Sequence, residues 1–163
     1  MRTAILLLAV VMLGLMAGLF YAYSGSVMPG MRQASDRAAV EVMQRINVAI
    51  QNPLFIVLFL GSLVLTGIAV VQNSGTSEVF VPLLIALLLY AATLLVTFAI
   101  NIPLNNRLNA AGLGEKAEGK GGNDGDPSAV WAAFFPRWVR WNVVRTLTST
   151  GAFAAGCWAL LQY

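Results

Sequence analysis

Arg145 is the residue whose position in the sequence most clearly indicates chemistry. It lies about one turn inside an apolar run, where an unpaired arginine costs a few kcal/mol. The four apolar segments of the chain contain no acidic residue except Glu78. The partners of Arg145 must therefore be neutral, such as amide oxygens, backbone carbonyls or an aromatic face. The alternative is that Arg145 extends its side chain to lipid headgroups, as arginines near helix ends often do.

Further polar and aromatic residues are expected at the same depth as Arg145. Helical spacing puts Trp138, Asn142 and Arg145 on one face of a helix. Amides in an apolar layer need partners because hydrocarbon supplies none. Several amides at one depth favour a buried network, although the tryptophans alone are also typical of an interfacial aromatic belt. The residues expected to converge are Tyr23, Ser24, Met28, Asn47, Asn101, Asn105, Trp138, Trp141, Asn142 and Arg145.

Several common chemistries are excluded by residue content. The chain has no histidine and a single cysteine, Cys157. It therefore cannot form an internal disulfide, and it lacks the residues of the usual zinc sites. Methionines in apolar helices usually fill packing gaps, so Met12, Met16 and Met28 are not expected to bind a metal. We predict no metal site and no cofactor.

The elements that position these residues are predicted to be membrane-spanning helices. Of the 163 residues, 58% are hydrophobic and only 10% are charged. Soluble domains carry about 25% charged residues. The composition therefore excludes an ordinary soluble fold and a disordered chain, and it points to membrane lipid rather than nucleic acid as the main partner.

Four segments are long enough to cross a bilayer, which takes about 20 apolar residues. Asn52 and Pro53 mark the start of the second segment, Ser77 is expected to cap the third, and Pro103 is expected to end it. The fourth belongs to a helix that is expected to start at Ser128, with Asp126 as its cap and Pro127 at the first position. The predicted fold is an all-α membrane protein, a single domain over 1–163 with a four-transmembrane-helix bundle. The predicted spans are 3–28, 53–71, 78–100 and 141–163.

Two segments between the spans are predicted to lie outside the hydrocarbon. Residues 31–51 have the pattern of an amphipathic helix, with Ala39, Val42, Met43, Ile46, Ala49 and Ile50 on its apolar face. Residues 112–127 contain six glycines among charged residues and predict a flexible loop. Small residues recur every fourth position from Gly14, which favours close helix packing.

Lysine and arginine counts predict the orientation. The loops after spans one and three hold eight of them, and the opposite side holds only Arg2. The positive-inside rule then predicts both long loops in the cytoplasm and both termini outside, as in a bacterial inner-membrane protein.

Four ordered motifs resemble one known family. The runs GLFYAYSGSVMPGM (18–31), VMQRINVAIQNPLF (42–55), NIPLNNRL (101–108) and WVRWNVVRT (138–146) are similar to those of the DUF1772, or anthrone oxygenase-like, membrane proteins. The resemblance covers nearly the whole chain apart from the glycine-rich loop. It implies a cofactor-independent oxygenase that converts anthrones to anthraquinones.

The resemblance suggests roles for the polar layer. Cofactor-free oxygenation needs a site that binds an aromatic plane, accepts a proton and stabilises an oxyanion. We assign catalytic roles to Asn142, Arg145 and Tyr23, with Tyr23 as a proton relay. The residues assigned to ligand binding are Asn47, Asn101, Asn105, Trp138, Trp141, Ser24 and Met28.

Two other classes of function remain open from the sequence. The polar layer could bind a lipid headgroup or a quinone without catalysis. The chain could also be an accessory subunit of a larger membrane complex, or form a homo-oligomer, with the small-residue stripes facing the partner. A hydrophobic aromatic small molecule is the ligand that the oxygenase hypothesis requires.

Overall fold

The computed structural model describes residues 2–111 and 126–162, and within them the chain is built from helices without strands. We number five continuous helices. They are α1 (Arg2–Met31), α2 (Asp36–Ala49), α3 (Pro53–Gln72), α4 (Ser77–Ala110) and α5 (Pro127–Leu161). The predicted loop 112–127 lies outside the described residues except for its last two positions.

Local capping explains most of the helix starts. The side chain of Asn52 accepts a hydrogen bond from the backbone N–H of Phe55, and Pro53 occupies the first helical position. Asp126 does the same for Ser128 at the start of α5. Both starts confirm the sequence prediction. The predicted cap of α4 was wrong, because Thr76 stands before that helix and Ser77 is already its first residue.

Helix α4 does not end at Pro103, which corrects a second prediction. A π-helical turn over Thr97–Asn101 precedes the proline, and the N–H of Ile102 reaches back five residues to the carbonyl of Thr97. Helix α1 has the same feature, a π turn over Tyr23–Val27 that precedes Pro29. Proline lacks the N–H of the normal ladder and crowds the preceding turn. The wider π turn accommodates it, so both helices continue.

Three of the helices are long and apolar enough to cross a membrane, namely α1, α3 and α4. They contain the predicted spans 3–28, 53–71 and 78–100. The fourth predicted span, 141–163, falls on α5 apart from its last two residues, and among the described residues this helix is not apolar enough to be counted with the other three. The four-span count therefore stays a prediction.

Helix α1 packs closely against α5. A Cβ atom added at Gly14 would lie 2.9 Å from the ring of Phe153, and one at Gly156 would lie 3.0 Å from Val10. The absence of side chains at these two glycines allows the backbones to approach. Gly18 has no atom within 4 Å of such a Cβ, so the predicted stripe contributes at Gly14 but not at Gly18.

Helix α2 lies across the end of the bundle that holds the two prolines. Its buried residues are Ala39, Val40, Met43 and Asn47, whereas Val42 is 46% exposed. The buried face is thus rotated from the predicted one, which included Val42 and Ala49. The rotation turns Asn47 inward, and this helix forms one side of the site described below.

Candidate functional site

A chain of hydrogen bonds links three helices at the level of the π turns. The Nδ2 of Asn142 donates to the Oγ of Ser24 at 2.8 Å and to the carbonyl of Phe20 at 3.1 Å. Its Oδ1 accepts from Arg145 Nη2 at 2.8 Å. Arg145 Nη1 donates to the Oγ1 of Thr97 at 3.4 Å. Helices α1 and α4 therefore supply the two ends of this network, and α5 supplies its centre.

Arg145 is buried without a neutralising partner. It is 6% exposed, and no carboxylate pairs with it in the described part of the chain. Its Cζ lies 4.6 Å from the ring centroid of Phe20 and 5.2 Å from that of Trp138. Its Nε has no hydrogen-bond partner among the described residues. Cation–π contacts and an amide oxygen stabilise the guanidinium, but they leave its positive charge in place.

A cavity of about 540 Å³ lies beside this guanidinium. This volume is within the range of small-molecule sites. Its walls are mainly apolar and aromatic, including Phe20, Phe55, Phe59 and Trp138. Among the described residues no aspartate or glutamate lines it. The cavity can therefore hold a hydrophobic molecule and presents one cation to it.

The cavity has a polar end and an apolar rim. Asn47, Asn105 and Asn109 line the polar end, where Asn47 Nδ2 donates to Asn109 Oδ1 at 3.3 Å. The rim includes Leu60 of α3 and Phe98 of α4, which are 42% and 53% exposed. These two helices are candidate membrane spans, so the rim opens on surfaces suited to lipid.

The residues predicted as a site separate into two groups. Tyr23, Asn47, Asn105, Trp138 and Arg145 line the cavity. The Nε1 of Trp138 donates to Asn105 Oδ1 at 2.8 Å, and its ring centroid lies 5.6 Å from that of Tyr23. This group brings together α1, α2, α4 and α5.

The second group supports the wall or lies elsewhere. Asn142 accepts a hydrogen bond from Arg145, and Ser24 accepts one from Asn142, but neither lines the cavity. Asn101 is buried, and its Nδ2 donates to the carbonyl of Trp138 at 3.5 Å. Its Oδ1 has no hydrogen-bond partner within residues 2–111 and 126–162. Met28 packs in an apolar cluster with α2. Trp141 lines a different cleft, so the structure does not bring it to the cavity wall with Arg145.

A family model matches the part of the chain that carries most of this geometry. The model of the anthrone oxygenase family, which is DUF1772, matches residues 43–155, or 113 of 163 positions. The chain belongs to the anthrone oxygenase family. No curated protein and no solved structure matches it. The matched range includes Asn47, Asn142 and Arg145, while Tyr23 and Ser24 precede it.

In this anthrone oxygenase family member, sequence reasoning missed several cavity residues. Phe20 gives both a ring and a carbonyl to the network, and Thr97 gives a hydroxyl to Arg145. Phe59 and Phe98 have ring centroids 6.0 Å apart at the rim. A proline inside an apolar run was the available signal, because each π turn lies just before one and π turns occur often at functional sites.

The side chains on the cavity wall indicate which reactions this site of an anthrone oxygenase family member could support. A guanidinium in apolar surroundings stabilises a developing oxyanion more strongly than it would in water. Tyr23 supplies a hydroxyl on the cavity wall, and Trp138 supplies a flat surface. Among described residues, no cluster of three or more His, Cys, Asp or Glu residues that could hold a metal occurs. The arrangement is suited to a planar ligand with one acidic oxygen.

Proposed function

We propose that the chain is an integral membrane oxygenase that binds a hydrophobic anthrone-type ketone in the 540 Å³ cavity and oxidises it with O₂ without a cofactor. The single observation that carries this proposal is the guanidinium of Arg145, which is buried on an apolar cavity wall without a carboxylate partner in the described chain. Membership in the anthrone oxygenase family supports the choice of substrate class.

The proposed reaction is chemically balanced. An anthrone loses the proton from its methylene carbon and becomes an enolate, whose oxygen carries the negative charge. The enolate transfers an electron to O₂, and the resulting radicals combine to form a hydroperoxide at that carbon. Loss of water from the hydroperoxide gives the quinone. One anthrone and one O₂ thus yield one anthraquinone and one water.

Arg145 would stabilise the enolate, and this is the step to which a fixed cation contributes most. The planar substrate would lie against Trp138, with its oxygen towards the guanidinium. Tyr23 would relay the proton to the polar end of the cavity, where Asn47 and Asn105 lie. Asn142 would act as a positioning residue, because its Oδ1 holds Arg145 Nη2 at 2.8 Å.

The proposed membrane arrangement has four spans, with α5 as the fourth over residues 141–163. Helix α5 is less apolar than the others, but it packs against α1 and α4, and within 141–163 it buries Asn142, Arg145 and Ser149 in the bundle. Polar groups in a span are tolerated when they face a bundle interior. The two long loops would then face the cytoplasm, as their excess of lysine and arginine predicts, with α2 along that interface.

Oxygen consumption by the purified protein tests this function. The full chain in neutral detergent would be given anthrone under ¹⁸O₂, and the product analysed by mass spectrometry. We expect one labelled oxygen per anthraquinone and a rate far above that of detergent alone. Arg145→Gln should remove most of the rate, whereas Arg140→Gln, which changes an exposed arginine of the same helix, should keep it. Equal rates for these two variants would overturn the proposal.

A second candidate function is binding of a lipid or quinone without catalysis. Among the described residues no carboxylate lines the cavity, so Tyr23 is the remaining group that could take up the substrate proton. A site with so few proton acceptors favours binding without catalysis. The same experiment separates the two functions. A quinone or anthrone retained by the protein without O₂ consumption would favour binding alone, and purification only together with other proteins would favour an accessory subunit.

A further inference from the structure

Two small clefts between α4 and α5, separate from the main cavity, share the same pair of arginines. The first, of about 240 Å³, and the second, of about 230 Å³, are both lined by Arg107 of α4 and Arg137 of α5. Neither arginine lines the main cavity. The proposed reaction therefore gives these two side chains no role.

The charge of this surface is unbalanced. Among the described residues no aspartate or glutamate lines either cleft, and no ion pair of Arg107 or Arg137 occurs. Two guanidinium groups on one surface repel each other unless an anion lies between them. Both side chains are exposed, so an anion can reach them. Arginine binds phosphate with two parallel hydrogen bonds, which makes phosphate the best-matched anion.

The floor of the clefts is apolar and lies at the end of a candidate span. Leu104 lines both clefts, Ile100 and Pro103 line the first, and Phe134 lines the second. A free phosphate would gain nothing from these side chains, whereas the upper part of an acyl chain would pack on them. Trp141, one turn after Arg137, completes the first cleft and is half-buried, as interfacial tryptophans are.

We propose that Arg107, Arg137 and Trp141 bind the phosphate of an anionic phospholipid in the groove between α4 and α5. The phosphate bridges the two guanidinium groups, and one acyl chain follows Leu104 towards the bilayer centre. This site is separate from the oxygenase cavity and does not depend on catalysis. It depends only on the placement of α4 across a membrane.

Lipid retention by the full chain tests the site. Protein in neutral detergent would be titrated with phosphatidylglycerol or phosphatidylcholine and analysed by native mass spectrometry. An arginine that faces the lipid phosphate contributes about fivefold to its binding, whereas in a neutral detergent micelle an exposed arginine away from the site contributes little because water and salt screen its charge. We therefore expect Arg107→Gln with Arg137→Gln to weaken phosphatidylglycerol binding about 25-fold and to leave phosphatidylcholine unchanged.

A matched control removes two other exposed arginines, Arg32 and Arg140, which line neither cleft. It should bind phosphatidylglycerol within twofold of the original chain. Equal losses in the two double variants would show a nonspecific charge effect and would overturn the site. Displacement of the lipid by millimolar inorganic phosphate would assign the pair to free phosphate and would overturn the lipid. Arg145→Gln should not alter retention, so a failed oxygenase assay leaves this result interpretable.

Discussion

Replacement of Arg145 by methionine separates a functional role of this arginine from a structural one. The arginine gains about 1.5–3 kcal/mol from its charged hydrogen bond to Asn142 Oδ1 at 2.8 Å. The contacts with the rings of Phe20 and Trp138 add about 0.5–2 kcal/mol. The bond to Thr97 at 3.4 Å is long and adds little. Placing the cation in an apolar layer costs about 2.5–3.5 kcal/mol.

These terms nearly cancel, and that cancellation is the basis of the prediction. Methionine fills a similar volume with an unbranched apolar chain. We expect Arg145→Met to change the free energy of unfolding by no more than about 2 kcal/mol in either direction. Loss of one oxyanion-stabilising donor lowers turnover by about 10²–10³. The variant should therefore be a stable protein that has lost almost all oxygenase activity.

Thermal unfolding in detergent and O₂ uptake on the same preparation would measure both quantities. Arg145→Lys is the informative companion, because it keeps the charge and loses the planar fork. We expect it to retain part of the turnover. The reasoning would be refuted by two results together. The free energy of unfolding of Arg145→Met would fall by more than about 3 kcal/mol, as for the loss of a structural charged residue, and its folded fraction would keep full turnover.

Three further perturbations test separate parts of the structure. Gly14→Leu should destabilise the chain by about 1–3 kcal/mol in thermal unfolding, because the added side chain meets a ring of α5, whereas Gly18→Leu should be neutral. Asn142→Asp should abolish O₂ uptake because its carboxylate would neutralise the guanidinium, and it should lower the unfolding temperature because an oxygen would replace the N–H that donates to the carbonyl of Phe20. Leu60→Trp should slow turnover of anthrone supplied in liposomes by narrowing the cavity rim, and Val64→Trp, exposed on the same helix but not in the cavity lining, should not.

Most of the helices could be predicted from the sequence because the patterns that indicate them are local. Apolar runs of sufficient length predicted α1, α3 and α4, and the cap residues Asn52 and Asp126 fixed two helix starts. The end of α4 could not be predicted in the same way. A proline normally stops a helix, and only the π turn over Thr97–Asn101 allows α4 to pass Pro103. The pattern of apolar residues in α4 does not distinguish a proline that ends a helix from one that a π turn accommodates.

The site was predictable only where one helix determines it. Trp138, Asn142 and Arg145 share a face because they are four and three residues apart, and the structure buries all three. Trp141 stands one residue before Asn142, about 100° around the helix from it, and lines a neighbouring cleft. Phe20 and Thr97 meet Arg145 from other helices. Their positions depend on the register between helices, for which spacing along the sequence gives no information.

The partners of Arg145 explain why the cavity stays positively charged. An amide oxygen, a hydroxyl and two aromatic rings satisfy the directions of the guanidinium without carrying a full negative charge. Aspartate at position 142 would occupy the same space as Asn142 and would cancel the charge. Because the cavity wall is apolar, the remaining field is weakly screened. An uncharged ketone that enters from the membrane gains little from this field, whereas its enolate gains much. The same arrangement thus favours the reactive anion over the substrate, which is the condition for catalysis rather than simple retention.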